Sequence, residues 1–408
     1  MIEARAEAPP SYRQLLEISG LPRLVGSMLL ARTATTMVQL VLVLFSLERF
    51  HSAGLAGAVT FLALAPGLLM SPIAGALLDR HGRVKLMVVD YIVAAAALAL
   101  IVGLGATDLL SEAPLLVIVT VMSLTFPLST TGVRTMFPLI VPRPLWERAN
   151  AIDSNAYVVS SIFGPAIAGA LVATVGSVWA LALTAALYAL AAIITVPLRD
   201  PLGRVPHGGL LADAWAGVLY TWRNTSLRGL GISVSTANIA NGLFFIGLPV
   251  LVFSRLGGSA AQVGQLFALM GVTAAVSVLT VGRVGTEGRE RQLLAGAMLL
   301  TGLGYGLVLI SPSLLFAALA LALIGLATGP FDVVLFTLRQ RRTDPAWLGR
   351  AFAVSMSFNF IGFPVGSALG GAVAPISLEL AFVGAIALCA IAAGLSFALI
   401  PKEYTNAG

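Results

Sequence analysis

The sequence is poor in charge, in lysine and in cysteine. Only 10% of its 408 residues are Asp, Glu, Lys or Arg, while 58% are hydrophobic. Soluble domains carry roughly 25% charged residues, so most of this chain has lipid for its solvent. Its only lysines, Lys85 and Lys402, follow Val84 and Pro401. No Gly-Lys phosphate loop exists, which excludes the nucleotide-driven pumps built on one. The single Cys389 rules out an intrachain disulfide. His51, His81 and His207 fall in separate connecting segments, so no metal cluster is expected. A Gly-x-Ser-x-Gly elbow is also missing. No cofactor is implied, and a polytopic membrane enzyme or a transport-dead sensor is the weakest reading. Energy for any work must come from an ion gradient or from the substrate's own gradient.

What the chain does have is length and apolar runs. A helix needs about 20 apolar residues to cross a bilayer. Twelve such runs fit, at 24–46, 54–78, 86–105, 113–139, 148–174, 177–197, 227–252, 260–282, 292–310, 313–338, 348–372 and 377–400. The fold class is therefore an all-α integral membrane protein of twelve transmembrane helices. The polar 1–23 segment is expected to be a cytoplasmic tail before a retained first helix, not a cleaved signal. Alternate connections fall on opposite sides. Counting Arg and Lys gives twenty on the side of the termini and two, Arg49 and Arg255, on the other. By the positive-inside rule both termini are cytoplasmic. The same rule accounts for the net charge of +6, so no nucleic acid partner is implied.

The spans divide six and six, giving bundles at 24–197 and 227–400, a connection at 198–226 and a C-terminal tail at 401–408. Leu211, Trp215, Val218, Leu219 and Trp222 recur at helical spacing in that connection. An amphipathic helix on the cytoplasmic membrane surface and a plain connecting helix both fit. The bundles also resemble one another. Leu145–Gly169 lies on Trp347–Gly371 at a constant offset, matching Arg148 with Arg350, Gly164 with Gly366 and Gly169 with Gly371. Two pseudo-symmetric six-helix bundles are the sequence mark of a parallel-repeat transporter.

Two motifs carry more. In Gly75–Lys85, GALLDRHGRVK, four charges sit in seven positions between two long apolar runs. Gly75 is expected to permit close helix packing and Gly82 a tight turn. Asp79 is expected to engage a neighbouring helix N-terminus, with Arg80 and Arg83 on nearby acids or lipid phosphates. An ordinary positive-inside loop would need neither the aspartate nor the glycine spacing. In Ser160–Gly169, SSIFGPAIAG, the Gly164-Pro165 pair is expected to bend a helix, and Gly169 to admit a neighbour.

The first motif resembles the loop signature between helices two and three of major facilitator superfamily transporters, departing at Val84. The second resembles the fifth-helix signature of exporters in that superfamily, with Ala168 in place of a glycine. Leu145–Ala151, Gln340-Arg341-Arg342 and Gly349-Arg350 extend the likeness to the macrolide-efflux and enterobactin-exporter-like branch. It implies a bacterial inner-membrane protein, expected to be monomeric among membrane lipids, that exports a drug or siderophore by proton antiport. An importer, a facilitator or a lysolipid flippase of the same fold remains an alternative.

Charges inside spans are costly, about 2.5–3.5 kcal/mol each on insertion scales, so each needs a partner, a cavity or a function. Arg32, Asp90, Arg134, Asp153 and Asp332 are such residues. Asp332 is the first candidate for carrying protons and Asp90 the second. A static Arg–Asp pair, with Arg32 or Arg134 as the basic member, is the competing role; it stands level with proton carriage for Asp332 and is favoured for Asp90 and Asp153, close to the cytoplasmic ends of their spans. In the superfamily, helices one, four, seven and ten line the central cavity, which by resemblance puts Arg32, Arg134 and Asp332 there. Thr36, Gln39, Asn238, Asn241, Phe331 and Asn359 are candidates to line the small-molecule path.

Overall fold

A backbone in lipid has no water to bond with, so it must satisfy its own N–H and C=O groups. Every apolar run accordingly forms helix. The structure, a computed structural model, describes residues 12–107, 109–200, 210–284, 286, 288–344 and 347–402. The first half holds α1 (Tyr12–Glu17), α2 (Leu21–Phe50), α3 (Ala53–His81), α4 (Arg83–Ala106), α5 (Glu112–Ile140), α6 (Trp146–Val175) and α7 (Ser177–Thr195). The second holds α8 (Leu210–Arg223), α9 (Thr225–Ser254), α10 (Ala260–Val284), α11 (Glu290–Leu309) and α12 (Leu314–Arg341). It ends with α13 (Leu348–Phe360), α14 (Gly362–Val373) and α15 (Leu378–Leu399). Twelve helical stretches are long and apolar enough to cross a membrane, and no strand occurs among the described residues.

Span ends match the apolar runs to within about four residues, with one difference in kind. The eleventh run is two helices, α13 and α14, separated at Ile361. Pro364 has no N–H to give Phe360 O, so the ladder fails there. Gly362 meanwhile abuts the Ser235 carbonyl of α9 so closely that no side chain fits. By contrast α6 runs unbroken through Pro165.

We call the side that bears α1, the Gly82 turn, α8 and the C-terminal end of α12 the near face, and the opposite side the far face. Besides smaller contacts of α3 on α8, α9 and α13, the halves meet chiefly through two crossings, α6 on α10 and α3 on α14. Each is made by glycines near the far face. A methyl at Gly169 would lie 2.5 Å from Ala260 O and 2.7 Å from Gly264 Cα. A methyl at Gly371 would lie 2.7 Å from Ala53 O and 2.9 Å from Gly57 Cα. Gly169 and Gly371 are the residues that the internal repeat superposes, so the crossings are pseudo-symmetric mates. The first extends to mid-helix, where Ile162 and Ser161 flank Gly271. Nearer the near face Tyr157 is 43% exposed and Arg134 is exposed.

Candidate functional site

The predicted site residues fall into separate groups. In the first, Arg32 of α2 reaches α6. It donates to the Asp153 backbone carbonyl (2.6 Å) and carboxylate (2.6 Å), and its guanidinium lies 3.7 Å from the Tyr157 ring centroid. Arg134 of α5 approaches the same ring at 5.7 Å and donates to the Tyr157 hydroxyl (3.3 Å). One turn on, Thr36 donates among the carbonyls of Arg32, Thr33 and Ser160 and packs on Gly164. Thr36 and Gly164 are thus joints of the α2–α6 crossing, and Thr36 is not a wall of an open path.

The second group lies inside the first half. Asp90 of α4 is 3% exposed, with the Ser129 and Thr125 hydroxyls beside its carboxyl. With Gln39, Thr35, Ser123 and Tyr188 it lines a cavity of about 30 Å³. That space suits a water or two and is too small for an amphiphile. Thr35 and Tyr188 close one side of it with a 2.9 Å hydrogen bond.

The third group is in the second half. Asn238 of α9 donates to Asn359 O (2.8 Å), and Asn359 is 1% exposed. With its amide turned to satisfy both neighbours, Asn359 accepts from Arg339 and donates to Ser355 O (3.2 Å). Arg339 is wholly buried, with Met356 Sδ 2.6 Å from its Nη1. Asn359 therefore belongs to an interior network and not to a cavity wall. Phe331 is likewise a packing residue, set against the Leu294–Leu335 cluster. Asn241 is exposed.

Asp332 stands apart on α12. It is partly exposed, and among the described residues no hydrogen bond or ion pair reaches it.

At the near face the 75–85 loop turns at Gly82, whose φ of +94° is a backbone that L side chains rarely adopt. An acid does cap the N-terminus of α4, and it is Asp200, just past α7. Asp200 Oδ1 accepts from Arg83 N (3.0 Å) and Val84 N (3.4 Å), and a methyl at Gly82 would lie 2.8 Å from Asp200 Oδ2. A carboxylate there satisfies orphan donors and meets the positive end of the helix. Arg80 is exposed. Gly75 has nothing within 4 Å of where a side chain would start, so the close packing expected of it is not used in this structure. Asp79 ends on the last turn of α3, and its side chain lies outside the described residues.

A family model described as transmembrane secretion effector matches residues 25–407. An MFS-type transporter, y4rN, of Sinorhizobium fredii is 36% identical over 97% of this chain and 98% of its own length. The chain belongs to the major facilitator superfamily. More distant relatives of the transporter are the multidrug efflux pump Tap of Mycobacterium tuberculosis and the enterobactin exporter EntS of Escherichia coli. Tap is 25% identical over 87% of each chain, and EntS is 26% identical over 86% of this chain and 84% of its own. The solved structure of a peptide transporter POT in complex with sulfate matches with TM-score 0.73 over 96% of this chain and 97% of that one. At 13% identity that likeness speaks for the fold alone. The protein is a multi-pass membrane transporter of this superfamily, and not an enzyme.

Several residues that organise the transporter's near face lie outside the predicted site residues. Besides Asp200, Arg342 donates to Pro401 O (2.9 Å), Lys402 O (3.2 Å) and Ser226 Oγ (3.2 Å). It thereby ties the end of α15 to the start of α9. Asn224 caps α9 through Ser226 N and Leu227 N while donating to Arg342 O (2.9 Å).

Proposed function

We propose that the protein is a proton-coupled exporter of an amphiphilic small molecule in a bacterial inner membrane, with its near face in the cytoplasm. The observation that carries the coupling is the isolation of Asp332. Asp153 is neutralised by Arg32, whereas Asp332 costs about 3 kcal/mol to insert and has no described group to offset it. An acid kept under those terms is suited to carry a proton and release it. Bundles 24–197 and 227–400 rock against each other, closing the far face through the glycine crossings and opening it by parting them, and the exposed Arg134 and Tyr157 flank an opening to the cytoplasm. The twenty-to-two basic count supports that orientation. Export is favoured over import because relatives across most of the chain are an efflux pump and an exporter.

The test is intracellular accumulation of hydrophobic cations, macrolides and siderophores in cells expressing the transporter. Expression should lower accumulation of at least one class, and Asp332→Asn, present at equal level in the membrane, should restore it to the empty-vector value. Raised accumulation on expression would make the protein an importer. Lowered accumulation that survives Asp332→Asn would remove the aspartate from the mechanism.

A further inference from the structure

The connection between the halves builds a feature that transport by itself does not require. Helix α8 docks on α13 and α9 of the second half, and touches α3 of the first. Tyr220 stacks on Trp347 (4.9 Å between centroids, planes 7° apart) and its hydroxyl accepts from Asp344 N (2.9 Å). The other face stays exposed, with Trp215 at 68% and Trp222 at 51%. Beneath it, between α8, α9 and α13, runs a groove of about 250 Å³ lined by residues that include Trp222, Arg228, Gly231, Ser235, Ile239 and Phe358. From Arg228 to Ile239 it follows α9 inward for about 16 Å of helix rise.

The groove's chemistry is that of a head and a tail. Its walls are mostly apolar and aromatic, and Thr221 and Thr236 donate their hydroxyl protons to Gly217 O and Ile232 O of their own helices. The strong donor is Arg228 at the mouth. It makes one long contact to Trp222 O (3.4 Å), and no carboxylate among the described residues pairs with it or with Arg223. Exposed tryptophans beside such arginines at a helix end are the pattern of a membrane interface facing anionic headgroups. The volume exceeds the ~150 Å³ that encloses a benzene and falls short of the ~300–1,000 Å³ of drug-sized sites. A single acyl chain fits better than a whole transported compound.

We infer that this groove seats one chain of an anionic phospholipid from the near-face leaflet, with Arg228 on the lipid phosphate and Trp222 over its glycerol. The lipid fills the space between α9 and α13 and fixes α8 against the second half.

The experiment uses the full-length transporter in nanodiscs of phosphatidylcholine with a minor fraction of phosphatidylglycerol. Lipids retained after mild delipidation are counted by native mass spectrometry. Wild type should keep one phosphatidylglycerol in preference to phosphatidylcholine. Arg228→Gln should lower that preference about tenfold, the worth of one charge-assisted hydrogen bond. Gly231→Leu should expel both lipids, since its first added carbon meets only Phe358 Cβ at 3.8 Å and the remainder enters the groove. If Gly231→Leu fails to fold, Arg228→Gln alone decides. Wild-type preference in Arg228→Gln, or full retention in a folded Gly231→Leu, would overturn the inference. So would displacement of the lipid by an equal concentration of a compound that the transporter exports, which would make the groove part of the substrate path.

Discussion

The glycine crossings allow the sharpest prediction. At Gly169 a methyl would sit 2.5 Å from the Ala260 carbonyl, where ordinary contact begins near 3.4 Å. Helices α6 and α10 would have to part by about 0.9 Å, and both obstructing groups are backbone, which cannot rotate away. Overpacking of this kind costs about 1–3 kcal/mol, and the parted helices also lose dispersion along the crossing. In alternating access the crossing is made only when the far face is closed, so the cost falls on that state alone. About 2 kcal/mol shifts the balance toward the far-open state roughly thirtyfold. The assay is double electron–electron resonance between spin labels on the far ends of α6 and α10, in a Cys389→Ser background. Gly169→Ala should raise the ratio of longer to shorter distance about thirtyfold and slow transport. Gly371→Ala should do the same at the mate crossing, and the double substitution should add, since the sites share no neighbours. An unchanged distance distribution in Gly169→Ala would refute the claim that these glycines set the closed state.

Three further outcomes follow from the same geometry. Arg32→Ala should lower stability by about 2 kcal/mol, below the 3–5 of a fully buried pair because both side chains keep some exposure. Thermal unfolding checks this, and Arg32→Ala with Asp153→Asn should recover part of the loss. Asp200→Ala removes the cap of α4 and should cost about 1 kcal/mol, with faster hydrogen exchange confined to the first turn of α4. Asn359→Leu should destabilise by about 1–3 kcal/mol, because the buried Arg339 would lose the Asn359 side-chain oxygen and face an apolar group in its place, whereas Asn241→Leu at an exposed position should be near neutral.

Hydropathy made the spans legible because the membrane dictates them, and their ends fell within about four residues throughout. The repeat was legible too, and it pointed to Gly169 and Gly371, though not to the helices they meet. Local rules failed where a partner comes from far along the chain. Asp200 lies over a hundred residues from the turn it caps, so the 75–85 motif could not name it. Arg339 was counted among topological charges, yet it is the largest fully buried side chain, since only tertiary packing folds α13 over it. Pro165 and Pro364 look alike in sequence. Only Pro364 coincides with a helix break, where Gly362 presses on Ser235. Thr36 and Asn359 looked like cavity polar groups because sequence cannot tell a hydroxyl that faces a path from one spent on a neighbouring carbonyl.

Proton-coupled export is tested most directly in proteoliposomes carrying the purified transporter, an exported compound and an imposed pH gradient. Wild type should concentrate the compound against its gradient while protons move the other way, and reversing the pH gradient should reverse the flux. Asp332→Asn should bind the compound but fail to concentrate it under either gradient. Concentration that ignores the pH gradient, or that Asp332→Asn performs as well as wild type, would contradict the account.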